Sequence, residues 1–466
     1  MKDWALVAVV GVAVAGAVLV TRFAPAPAHL AGAAAIVLSG MLVHRLAGLG
    51  LRQLSVPSVW YLSYVVVTAI PAFFVAAEEP SNYVTPYLFA VVVTLITAPL
   101  GMLLVNLATG FSRERTRIFL AEPLERTPPG AAQTATYLVY LAVCLALTVA
   151  YIIETPVIPL LHLIRHPGSA AVLVTLREES FKLLDSPLVY LYDLNRNVLY
   201  PFLIAMTLGY YLISRSARWL TLLVLTSLTG LFYAAASIAK APVAVLVLVT
   251  ALFVYLYRGG QVSLRAMLFA GAAVFLFPIA VLFQSLSGLG VSASSVANAI
   301  LRRLFYAPAE VLYYYFVIVP DVVPYLGGRT IGRVQWVLGG SGINIGNFVF
   351  RYMFPERIAT GVANTSFLGY LHADFGVVGI LAGGVVVGVL VQGLQLWLTR
   401  QRKTITTLAA YAFLLWAAWR INYQALPQTL LSGGIIIIML QMDLLRLSEA
   451  FFRVTTSRSR GREAHP

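Results

Sequence analysis

Charge is scarce in this chain. Only 11% of its 466 residues are Asp, Glu, Lys or Arg, while 60% are hydrophobic. A soluble domain carries about 25% charged residues. That composition excludes an ordinary soluble enzyme and predicts an all-α polytopic membrane protein. Cysteine is nearly absent too. Cys144 stands alone in an apolar run, which excludes an intrachain disulfide and a thiolate metal cluster. There is no Walker A sequence, so no ATP-driven pump is indicated. There is no His-Glu-x-x-His and no carboxylate cluster, so neither a metal nor any other cofactor is expected. No repeat of solenoid length and no inverted symmetry is visible.

What charge there is has one sign. Lys and Arg number 32 against 18 Asp and Glu, a net charge of +14. No separate basic soluble domain is present to hold nucleic acid. Anionic headgroups and a phosphorylated lipid substrate fit that excess better.

A membrane helix needs about 20 apolar residues. Twelve such runs are expected, at residues 4–20, 31–43, 59–77, 84–107, 136–153, 198–213, 220–238, 243–257, 266–283, 375–398, 408–419 and 431–445. The first lacks a cleavage site followed by a soluble domain and reads as a span, not a signal peptide. The short basic turns are Arg45/Arg52, Arg113 to Arg126, Arg215/Arg218, Arg258/Arg265 and Arg400 to Lys403. The positive-inside rule puts these, and both termini, in the cytoplasm. Two long polar connections, residues 154–197 and 284–364, then face the periplasm, with short interfacial helices in them. The expected organisation is a single transmembrane domain over 1–452 and a basic, disordered cytoplasmic tail over 453–466.

The chain is organised around GVANTSFLGYLHADFGVVGI, residues 361–380. Asn364, Thr365 and Ser366 form a helix-capping cluster ahead of His372 and Asp374. Ionisable groups at the mouth of a span are costly and mark candidate sites. The plain structural reading is that Asp374 caps the following helix and His372 is satisfied by water. On the outer side, Lys240, Arg302, Arg303, Arg329, Arg333, Arg351 and Arg420 supply cations, and arginine forks match phosphate oxygens. Lys240 and Arg420 have a plainer reading as headgroup contacts, or as partners of Glu310 or Asp374. Several arginines of residues 329–357 read as loop-stabilising, with about two of them in contact with substrate.

The layout resembles the Wzy-type O-antigen and exopolysaccharide repeat-unit polymerases. The local matches are ASIAKAPVAVLVLV at 236–249, residues 361–380, AAWRINY at 417–423, and Arg329 followed at an x10 spacing by Gly340. Lys240 stands where relatives tend to have Arg. The resemblance implies a bacterial inner-membrane glycosyltransferase with its active site facing the periplasm and no metal. Its donor would be a glycan on undecaprenyl diphosphate and its acceptor a lipid-linked repeat unit, with room for a chain-length regulator as partner. His372 would be the base, with Asp374 or Glu310 orienting or replacing it. Lys240, Arg302 or Arg303, Arg329 and Arg420 would hold the diphosphate, where charge develops on leaving. Two alternatives stay open. One is an O-antigen ligase with the same donor. The other is a non-catalytic lipid or polysaccharide transporter.

Overall fold

The computed structural model describes residues 26–48, 54–79, 81–126, 128–166, 188–259, 302–331, 342–356 and 361–447, with a few isolated positions between them. Every described element is helical. In chain order they are α1 (Ala26–Ala47), α2 (Val56–Glu78), α3 (Val84–Thr109), α4 (Arg113–Ala121), α5 (Ala131–Glu154), α6 (Pro159–Arg165), α7 (Val189–Ser214), α8 (Ala217–Ala235), α9 (Lys240–Tyr257), α10 (Ala307–Ile318), α11 (Ile345–Met353), α12 (Phe367–Thr399), α13 (Ile405–Arg420) and α14 (Leu426–Leu447).

Eight of these, α2, α3, α5, α7, α8, α9, α12 and α14, are long and apolar enough to cross a membrane. This is a multi-pass membrane protein. The runs at 31–43 and 408–419 fall on shorter helices: the apolar part of α1, Gly32–Ala47, and the 16-residue α13. The expected spans at 4–20 and 266–283, and the tail, lie outside the described residues.

The spans begin earlier than their apolar runs. Helix α7 starts at Val189, within the expected loop 154–197. Its first turns are polar, yet their charges are matched along the helix. Arg196 Nη2 is 2.7 Å from Asp193 Oδ1, and Asn197 Nδ2 donates to the same oxygen at 3.0 Å. A paired charge costs far less to place in a helix wall than a bare one. A five-residue π-turn, Asn195–Leu199, lets Asn195 reach the Cys144 carbonyl at 3.0 Å. Helix α12 likewise begins at Phe367, eight residues before its expected start.

The chain divides into two compact units. The first comprises Met1–Ala121, Val291–Gln401 and Ala417–Thr429; the second comprises the rest. In the first, α3 and α12 run parallel at backbone contact. A Cβ built on Gly388 would fall 1.9 Å from the Ala98 carbonyl oxygen, and one on Gly101 2.1 Å from that of Val385. Small residues allow this approach, and it is the approach that yields van der Waals contact where no hydrophobic force acts between spans. Helix α2 runs against them. Gln395 Oε1 accepts from Val56 N at 3.0 Å, and Ser55 and Ser58 form a reciprocal capping box, so the free N–H groups at the start of α2 are matched. Tyr64 then bonds the Val91 carbonyl at 2.9 Å.

These directions sort the ends of the first unit. One end carries Arg45, Arg113, Arg115, Arg117 and Arg400. The other carries the α2–α3 turn, α10, α11 and the break in α12, while the first turns of α12 fold back beside its continuation, with Leu371 and Phe367 against Gly383. In the second unit, Tyr137, Thr207 and Thr226 share hydroxyl bonds of 2.8 Å between helices, and Thr148 meets Tyr200 at 2.9 Å. Such pairs satisfy polar groups where water is absent.

Candidate functional site

Four stretches distant in sequence meet at the second end of the first unit. A small apolar core holds them together: Tyr315 and Ile318 from α10, Val319 just after it, Leu326 from the following turn, Ile345 and Val349 from α11, Ala363 ahead of α12, Tyr370 and Ala373 within it, and Ala425. Ser366 is the N-cap of α12, its side chain accepting from Leu368 N at 3.3 Å. The capping cluster therefore acts as expected, but through Ser366. Asp374 lies inside the helix and caps nothing there, which corrects the plain reading of that residue.

Asp374 organises a loop instead. Its Oδ1 accepts from Thr330 N at 3.1 Å and its Oδ2 from the Thr330 hydroxyl. Gly376 breaks α12 with φ 60° and ψ −142°, a conformation open to glycine. A helix interrupted there leaves the carbonyls just before the break in need of partners. Those of Ala373 and Asp374 accept from Leu326 N at 2.9 Å and Gly327 N at 3.0 Å. Gly327 and Gly328 take positive φ to make that turn. So Asp374 is 2% exposed and ties the turn 326–330 to the break. Residues 377–399 make about 35 Å of helix, enough to cross about 30 Å of hydrocarbon. The segment bearing His372 and Asp374 is not needed for crossing.

His372 is 5% exposed. Its ring stacks on Phe316 at 4.0 Å between centroids and meets Tyr325 edge-on at 5.9 Å. Nε2 lies 3.0 Å from the Val319 carbonyl. A carbonyl only accepts, so Nε2 carries the hydrogen and Nδ1 keeps the lone pair. Nδ1 is buried with no hydrogen-bond partner among the described residues. The ring is thus fixed in the tautomer a base requires, at the cost of the access a base requires. His372 is not open to water, as the plain reading has it, because aromatic rings enclose it.

Glu310 pairs with Arg302 at 3.1 Å on the exposed face of α10, and Arg302 lies 5.0 Å above the Tyr306 ring. Among the described residues, no hydrogen bond or ion pair joins Glu310 to His372 or Asp374. Arg303, Arg329 and Arg351 are exposed at the same end. The Arg329 carbonyl accepts from Ile343 N at 2.8 Å, which ties its turn to the approach to α11. Arg420 closes α13, and the next residue, Ile421, accepts from Phe367 N at 3.4 Å. That contact sets the Arg420 turn beside the start of α12. Asn422 fixes the turn by donating to Ser63 Oγ at 2.7 Å and the Trp60 carbonyl at 3.2 Å. Lys240 is the first residue of α9 and belongs to the second unit. Arg333 lies outside the described residues.

Sequence reasoning passed over the groups that build this end. Thr330, Val319, Phe316 and Tyr325 carry no charge. The run Tyr313-Tyr314-Tyr315 was a visible signal. Tyr313 meets Ser81 at 2.6 Å, Tyr83 donates to Asp321 at 2.5 Å and Tyr306 donates to Glu78, so the tyrosines tie α10 and its following turn to the α2–α3 turn. Burial and the Glu78 carboxylate both push the Tyr306 phenol up. Comparison with family models, with characterised proteins and with solved structures finds no match to this chain.

Proposed function

We propose that this chain is a membrane glycosyltransferase that polymerises undecaprenyl-diphosphate-linked repeat units at the outer face of the bacterial inner membrane. The observation that supports it is the gathering, at one end of the first unit, of His372, Asp374 and Glu310 with Arg302, Arg303, Arg329 and Arg351; Arg420 joins the set on the resemblance alone. The opposite end carries the short basic turns, in keeping with a cytoplasmic face there. In the proposed reaction the acceptor hydroxyl attacks the donor anomeric carbon. The bond from that carbon to the diphosphate oxygen breaks, and its electron pair leaves with the lipid diphosphate. Arginines meet the charge that develops on the leaving group. The hydroxyl proton passes to His372 Nδ1, the ring atom with a free lone pair. Glu310 is the more open carboxylate and takes over this role if His372 stays enclosed. Arg333 joins the diphosphate-binding set on the resemblance alone.

A transporter takes support from one feature, the break in α12 at Gly376, since transporters bind substrate at discontinuous helices. Against it, the break falls near the start of α12 and not near its middle. The lipid-linked glycans of a deletion strain separate the readings. Single repeat units accumulating on the lipid mean polymerase. Full polymer left on the lipid means ligase. Unflipped repeat units confined to the cytoplasmic leaflet mean transporter and would overturn the proposal.

A further inference from the structure

His372 carries the lone pair a base needs, yet two rings close over it, and the two are held very differently. Phe316 lies within α10, is 3% exposed, and sits among the buried Tyr315 and Ile318. It cannot leave His372 without disturbing the core. Tyr325 stands on the turn after α10 with 49% of its surface exposed. It meets His372 edge-on at 5.9 Å, and its hydroxyl makes no hydrogen bond to a described residue.

The backbone on both sides of Tyr325 is pinned. Asp321 accepts from the Tyr83 hydroxyl at 2.5 Å, and Val323 N donates to the Ile318 carbonyl at 3.0 Å. Leu326 N and Gly327 N are held by the carbonyls at the break in α12, and Thr330 by Asp374. A fixed turn therefore carries one loosely held ring. Exposed side chains change rotamer within picoseconds to nanoseconds, so the ring can leave His372 while the turn stays in place. Glycine at 376 leaves room for the ring in its inward position: a Cβ there would lie 3.1 Å from Tyr325 Cζ and 3.2 Å from its hydroxyl oxygen. The nearby carboxylates are spent elsewhere, Asp321 on Tyr83 and Asp374 on Thr330. What covers His372 is aromatic packing.

We infer that Tyr325 is a gate that decides which hydroxyl reaches His372, admitting a sugar and excluding water. This rests on the polymerase reading and names the residue that sets its acceptor specificity. With the ring inward, as in this structure, His372 Nδ1 is buried, and a donor bound alone meets no activated water. A pyranose has apolar C–H faces that pack on an aromatic ring, so an arriving acceptor can hold the ring outward. Water has no such face. The acceptor oxygen then bonds to the anomeric carbon, the bond to the diphosphate breaks with its electron pair, and the hydroxyl proton goes to Nδ1. Without the ring, water takes the place of the acceptor. The same bond breaks, the same nitrogen takes the proton, and the glycan leaves the lipid as a free reducing sugar. Closure against water until the substrate is in place is a known use of movable groups at active sites.

The test uses diethylpyrocarbonate, which acylates an unprotonated histidine nitrogen, on the full-length protein in detergent, read peptide by peptide by mass spectrometry. In wild type, His372 should react more slowly than the exposed His166. Tyr325→Ala should speed His372 about two- to tenfold, the population change that one aromatic contact is worth, with His44 and His166 unchanged. Tyr325→Phe should match wild type. If His372 reacts as fast as His166 in wild type, or if Tyr325→Ala leaves its rate unchanged, the gate is overturned. A general loosening of the fold would quicken His44 and His166 as well; Tyr325→Leu then takes the place of the alanine variant, and an unchanged His372 rate in it overturns the gate. On lipid-linked donor and acceptor, Tyr325→Ala should release more free glycan per polymer bond formed, and an unchanged ratio removes the gate's role in selecting the acceptor. Failure of the wider reading looks different. A His372 rate that depends on Tyr325, in a protein whose deletion leaves polymer length intact, keeps Tyr325 as the cover of His372 and removes the polymerase.

Discussion

The parallel pair α3–α12 makes one consequence calculable. Gly388 meets the chain of α3 directly: a Cβ there would lie 1.9 Å from Ala98 O, 2.8 Å from Ala98 C and 3.0 Å from Gly101 Cα. All three are backbone atoms, which cannot rotate away as a side chain would. Gly388→Ala therefore forces the helices apart. The neighbouring close contacts, Gly101 on Val385 and Gly384 on Thr97, open with it. Overpacking of this kind costs about 1–3 kcal/mol, and one or two kcal/mol already changes a folded-to-unfolded ratio by a factor of about 5–30. Gly393, further along α12, is the control. A Cβ at that position has nothing within 4 Å, and alanine is the better helix former by about 0.8–1.0 kcal/mol. Thermal unfolding of purified protein in one detergent, followed by intrinsic fluorescence, should rank Gly393→Ala at or above wild type and Gly388→Ala clearly below it. If the two variants unfold at the same temperature, the helices are not in backbone contact and the parallel pairing is wrong.

Other expectations can be checked with simple variants. If His372 is the base, His372→Gln keeps a side-chain amide near Val319 O but cannot take a proton, so polymer formation should fall about 10²–10⁴-fold with protein yield unchanged; wild-type activity in the His372→Gln protein would leave Glu310 to be tested next. Asp374→Ala strips the acceptors from Thr330, leaving buried donors at about 1–3 kcal/mol each, so hydrogen exchange at residues 326–330 should quicken; unchanged exchange would show that the turn holds without it. Asn82→Cys, in the exposed α2–α3 turn, should react with an impermeant maleimide in permeabilised-envelope cells and Arg115→Cys should not, over a silent background because Cys144 is buried; the opposite pattern inverts the topology. Burial pushes the Tyr423 phenol up to about 12, so the unfolded phenol ionises first and stability falls between about pH 10 and pH 12. Tyr423→Phe should lose less over that window, and thermal midpoints across it would refute this if both proteins decline alike.

The apolar runs and the basic turns were readable from residues alone, because crossing about 30 Å of hydrocarbon leaves few choices of composition. So was the cap at Ser366, since a hydroxyl before an apolar helix has one obvious use. Boundaries were not readable. Helix α7 runs through Asp193 and Arg196 because the two charges pair at i,i+3 and Asn197 joins them, and no hydropathy pattern registers that match. The reading of Asp374 as a helix cap failed for a related reason. Its partners sit at 328 and 330, across a long sequence gap, and only the break at Gly376 brings that turn beneath the carboxylate. His372 was placed at a wet interface by position, whereas Phe316 and Tyr325 arrive from another helix and its turn to enclose it. Arg302, Arg303 and Arg329 share one end because α10 and its following turn are tied to the α2–α3 turn and to the break in α12, contacts between segments far apart in sequence. Residue chemistry determined that this chain lives in a membrane and carries a sparse, mostly basic set of charges; packing between distant segments decided which polar groups stand open and which are enclosed and spent on holding the fold.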